Sequence, residues 1–193
     1  MKSKPKNSKQ PSFLSSTIPN PKERKTVAVS LTLCLCLAGA GLLLIFVYNG
    51  MLMRMDKDTY KEFLKQFGSV ARIIYFVVLS IFPVFLLMKW KGLKGVKWRD
   101  IEIKPLIQFA GRYLRKWHVP LALLATAGIM LHGVLAINRD FHWDFTNMTG
   151  ILSSVVLLFL VVMGFKRFKR KDRSWHLKLA ITFTVLFMIH ASF

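Results

Sequence analysis

The sequence predicts an all-α, polytopic membrane helix bundle, and three observations lead to that class. The chain has 193 residues, 53% of them hydrophobic, and the apolar residues fall in long blocks. Its 29 Lys and Arg residues, against 9 Asp and Glu, sit between those blocks. The blocks are also long enough to cross a bilayer, whose hydrocarbon core of about 30 Å takes about 20 apolar residues as helix. Soluble nucleic-acid binders reach a net charge of +20, but with the charge spread over a polar surface, so no nucleic-acid partner is implied. Having only two cysteines, Cys34 and Cys36, excludes a disulfide scaffold and any cysteine-rich zinc or iron–sulfur site.

Residues 1–26 are rich in Lys, Ser and Pro, which predicts a disordered basic tail able to touch anionic headgroups. The transmembrane domain then covers residues 27–193. Its first span runs from about Val27 to Val47. The basic front and the Ala38-Gly39-Ala40 triplet imitate a signal peptide, but the apolar run continues through Leu42 to Val47, too long for a cleavable h-region. Cys34 and Cys36 lie about 200° apart on this helix and read as packing residues. Next, Tyr60, Phe63, Leu64 and Phe67 recur at helical spacing and predict a short amphipathic helix lying on the surface. The second span runs from about Ile73 to Met88. A second amphipathic helix is expected from Pro105 towards Lys116, with Leu106, Phe109, Tyr113 and Trp117 on one side. The third span covers about Val119 to Ile137, and Pro120 is expected to kink or start it. The fourth and fifth cover about Ile151 to Phe165 and Trp175 to Phe193.

Sorting the charge by loop gives the orientation. The tail, the loop from Lys89 to His118 and the stretch from Lys166 to Lys178 together carry +19, whereas the alternate loops with Arg72 carry +1. This is the positive-inside pattern, with the N-terminus in the cytoplasm and the C-terminus outside the cell membrane.

Four of the five histidines fall in the third and fifth spans. His118 and His132 are 14 residues apart, as are His176 and His190. Both pairs share a local frame, Trp117-His118-x-x-Leu121-Ala122 and Trp175-His176-x-x-Leu179-Ala180. Fourteen residues end about 40° short of four turns and rise about 21 Å, so each helix carries two histidines on one face, one near each leaflet. Helices three and five run the same way, which levels His118 with His176 and His132 with His190. Two imidazoles facing each other from neighbouring helices supply the axial ligands of a haem iron, and two such pairs supply two haem b groups. A lone membrane histidine often only bridges helices, so a haem-free structural or assembly protein is the contrasting reading. Four ionisable groups at matched depths favour the haems. A single four-histidine metal site fails on distance, because its ligands must share one tetrahedron.

This spacing resembles the di-haem b-type membrane cytochromes. The size and the basic-Trp-His entry to helix three look most like the ferric-reductase-like transmembrane domain, over roughly residues 70–193, with the haem core at 117–193. The resemblance implies electron transfer across the membrane to an external acceptor such as ferric iron, oxygen or a partner protein. Three residues follow His190 and no Gly-rich dinucleotide loop occurs, so the expected donor is a cytoplasmic flavoprotein or a quinol. Respiratory cytochromes b and quinone-reactive membrane anchors share similar spacing and remain the alternative. The five spans are fewer than the six expected of the ferric-reductase-like group.

Small residues, among them Ala122, Ala125, Gly128 and Ala180, give a porphyrin room between helices. Arg112, Arg115, Lys116, Arg173 and Lys178 are candidate propionate partners on the cytoplasmic side, and Arg72 and Arg139 on the outer side. His142, in the outer loop, reads as a loop histidine, with a metal near the outer haem as the lesser reading.

Overall fold

The computed structural model describes residues 13–93, 95–99, 101–169 and 173–192. Among the described residues, five helical stretches are long and apolar enough to cross a membrane. A short helix, α1 (Phe13–Thr17), precedes α2 (Pro21–Val47), whose first turn is closed by the Asn20 side chain accepting from the Lys22 N–H, with Pro21 at the first position. Where described, the expected tail holds α1 and the first turns of α2 with residues 18–20 between them, and residues 1–12 lie outside the described residues. After α3 (Asn49–Arg54) comes α4 (Lys57–Leu79), capped by Asp56, and α5 (Ile81–Lys89). A two-residue antiparallel ribbon, β1 (Lys97–Trp98) with β2 (Ile101–Glu102), leads into α6 (Ile103–Asp140). Then come α7 (Phe145–Lys166), capped by Asp144, and α8 (Arg173–Ser192).

Three sequence expectations change. The residues around Tyr60 do not form a separate surface helix, because they are the first turns of α4. Tyr60 is buried and donates to the Leu135 carbonyl at 2.6 Å, so its apolar face packs on α6 and not on a headgroup layer. Residues 105–116 likewise belong to α6, and Pro120 lies inside this helix without ending it. His118 is therefore well inside a helix. The cost of Pro120 is one missing N–H, which a long helix with packed neighbours tolerates.

Packing divides the bundle into two parts. In the first, α2 and α4 flank α6. Small residues let α2 approach, with Cys34, Ala38, Leu123 and Ala127 in one cluster. The Cys34 thiol reaches the Leu123 carbonyl at 3.1 Å. Gly41 takes the Leu131 side chain, since a Cβ there would come within 2.6 Å of Leu131 Cδ1. On the other side, Ala71 of α4 meets Gly128 of α6, whose added Cβ would be 3.4 Å away. The second part is the α7–α8 hairpin. A core of Tyr75, Val78 and Ala125 from the first part and Leu157, Phe183 and Phe187 from the second joins them. The α6 and α8 backbones make almost no close approach, so side chains fill the seam between them.

Candidate functional site

The four histidines line that seam at two levels. At one, the His132 and His190 rings face each other with centroids 6.3 Å apart and planes at 72°. At the other, His118 and His176 lie within electrostatic reach of each other. Between the levels sit Ala125 and Phe183, each seven residues from both histidines of its own helix and both almost wholly buried.

A flanking helix orients each ring. His132 Nδ1 donates to the Leu64 carbonyl of α4 at 3.1 Å, and His190 Nδ1 donates to the Thr146 carbonyl of α7 at 2.9 Å. A carbonyl only accepts, so both rings carry their proton on Nδ1 and leave Nε2 with a free lone pair. Metal-binding histidines are commonly oriented by such a carbonyl. His118 and His176 also turn towards main-chain carbonyls, of Val78 and Leu160, but their buried Nδ1 atoms complete no hydrogen bond within the described residues.

The carbonyls follow one register. Leu64 and Val78 are 14 residues apart on α4, and Thr146 and Leu160 are 14 apart on α7, the same interval as between the histidines. Glycine stands four residues beyond three of them. A Cβ added at Gly68 would come 3.1 Å from the His132 ring, at Gly150 2.9 Å from His190 Cε1, and at Gly164 3.7 Å from His176 Cε1. These glycines leave the space in which the rings reach the carbonyls. The fourth place falls on Phe82. There the helix is interrupted only at Ser80, which keeps helical angles, bonds through its N–H to the Phe76 carbonyl at 3.0 Å and donates its hydroxyl to the Val77 carbonyl at 2.7 Å, and Pro83 follows without an N–H. Phe82 is 43% exposed.

The cations divide. Arg112, Arg115 and Lys116 are exposed on α6 just ahead of His118. Lys178 lies over the Trp175 ring at 5.0 Å, and the Arg173 side chain is outside the described residues. Arg139 is already engaged: it donates to the Met55 carbonyl at 2.6 Å and covers the Tyr60 ring at 4.7 Å. Arg72 stands near the start of the apolar run of its helix, seven residues after Lys65, and its neighbour Ala71 packs on Gly128. His142 is exposed, and its carbonyl accepts from Asn147 Nδ2 at 2.8 Å. Among the described residues no group of three or more His, Cys, Asp or Glu side chains gathers.

At the His132–His190 level the residues present would suit an iron held between the two rings. A metal about 2 Å from one nitrogen of each ring would separate ring centres by about 6 Å, and the His132–His190 spacing is of that size. The unbonded Nδ1 atoms of the other pair belong to half-buried rings with carbonyls beside them. Sequence reading found the four histidines but missed Gly68, Gly150, Gly164 and the carbonyl register. The signal was present, since Gly150 and Gly164 repeat the 14-residue interval.

The fold and site define a multi-pass helical membrane protein with histidines at two levels, one of them the facing pair His132–His190. Compared with known proteins, the chain matches no family model, no curated protein and no solved structure.

Proposed function

We propose that the chain is a di-haem b-type membrane electron carrier, with one haem held by His118 and His176 and the other by His132 and His190. The observation that carries this reading is the facing pair His132–His190, with both Nδ1 protons committed to carbonyls and both Nε2 lone pairs free. When bound, haem supplies one-electron redox chemistry at two depths of the membrane. The chain supplies axial nitrogens, and its flanking carbonyls hold the rings in one tautomer. Phe183, Leu157 and Ala125 keep the space between the levels dry.

The charge asymmetry of +19 against +1 supports a cytoplasmic N-terminus, which makes His118–His176 the inner level. In a ferric-reductase-like role, a cytoplasmic flavoprotein or a quinol is the donor and an external acceptor is the sink. The test is a visible spectrum of the full chain purified from haem-replete cells. A sharp reduced α-band and about two haems per chain by pyridine haemochrome assay are expected for bis-histidine haem. A folded, colourless preparation would sink the reading.

A further inference from the structure

Thr149 shares an acceptor with His190. The Thr146 carbonyl that receives the His190 Nδ1–H at 2.9 Å also lies 2.9 Å from the Thr149 hydroxyl. Inside α7 the same oxygen faces the N–H of Gly150, four residues on. A carbonyl oxygen has two lone pairs, so three donors compete for it. The hydroxyl has one proton to give and a second oxygen within reach, that of Phe145 at 2.9 Å. It therefore divides its bond between the two carbonyls and takes part of the Thr146 oxygen from the imidazole.

A helical threonine ordinarily bonds a carbonyl three or four residues back, as Thr182 does to Lys178 and Thr184 to Ala180. What sets Thr149 apart is the histidine on the same acceptor. The arrangement belongs to one of the four histidines. Three and four residues after Leu64 stand Phe67 and Gly68, after Val78 Ile81 and Phe82, and after Leu160 Met163 and Gly164. None of these side chains carries a hydroxyl.

The consequence falls on Nε2. A stronger hydrogen bond from Nδ1–H leaves more electron density for Nε2 to lend a metal. That density favours the oxidised metal, so hydrogen bonding behind an axial ligand is a lever on a haem's potential. A donor competing at Thr146 moves the lever the other way.

We infer that Thr149 is a positioning residue for His190, its hydroxyl loosening the His190–Thr146 bond and so raising the midpoint potential of the group held between His132 and His190. The inference rests on the haem reading and names a residue through which the chain sets one haem apart from the other.

The test compares Thr149→Val and Thr149→Ser with the parent, all as full-length protein in detergent, by haemochrome content and by redox titration followed in the visible spectrum. Valine keeps the shape of the side chain without the hydroxyl, and serine keeps the hydroxyl without the methyl. Thr149→Val should retain both haems, lower the midpoint potential of the haem that His190→Ala removes and leave the other potential in place. Thr149→Ser should stay at the parent values. Two unaltered potentials in Thr149→Val at full haem content would overturn the inference while leaving the haem reading intact. An equal shift in both variants, or loss of that haem from Thr149→Val, would also overturn it, by assigning Thr149 to packing. A haem-free parent would instead remove the reading on which it rests.

Discussion

His132 and His190 are held 6.3 Å apart, ring centre to ring centre, by two helices whose backbones barely approach each other. Each ring is anchored by a third party, Leu64 on α4 or Thr146 on α7. The spacing is thus set from outside the pair. Replacing His190 by Ala should remove the haem at this level and spare the one at His118–His176. Pyridine haemochrome content falling by half checks this, and retention of both haems would break the pairing.

The glycines should rank by clearance. An added methyl at Gly150 would stand 2.9 Å from His190 Cε1, whereas at Gly164 it would stand 3.7 Å from His176, an ordinary contact. Gly150→Ala should therefore displace His190 and reduce haem at that level, while Gly164→Ala should bind both haems normally. Equal spectra for the two variants would contradict the register.

Pro83 should matter to His118 alone. Pro83→Ala restores the N–H that can bond the Leu79 carbonyl and tightens the turn that carries Val78, whose carbonyl lies beside His118. The expected result is loss or spectral change of the His118–His176 haem, with the His132–His190 haem unchanged.

The Tyr60 hydroxyl joins α4 to the far end of α6. Tyr60→Phe should cost about 1 kcal/mol, the net worth of one such bond, in unfolding measured in mixed micelles. Arg139→Gln should destabilise the same corner, since it removes the donor to Met55 and the cover over Tyr60. Neither change should alter the haem spectrum.

Asp56 gives the fold a pH dependence of known sign. Hydrogen bonds from Thr59, by its side chain and its N–H, hold the Asp56 carboxyl below its ordinary range. A depressed carboxylate contributes stability above its unfolded pKa, about 3.9, and loses that contribution as pH falls through the folded value. Asp56→Ala should lower the melting temperature at neutral pH, with the difference from the parent shrinking in acid. A difference independent of pH would assign the effect to helix propensity.

Much of the bundle was legible in the chain. Apolar blocks longer than a bilayer needs and a 14-residue histidine interval follow from the helical rise and repeat alone, so five spans and matched histidine levels could be read directly. Helix ends could not. The turns around Tyr60 look amphipathic in isolation, and only the contact with Leu135 shows that their apolar face packs on protein.

The sequence by itself determined the class, the number of spans and which four histidines share faces and depths, because those depend on local periodicity and on charge between blocks. Only the tertiary structure decided which carbonyl orients each ring and why three glycines stand where they do. Such features depend on distances between helices far apart in the chain, set by side-chain volumes meeting across a seam, and local periodicity carries no record of them.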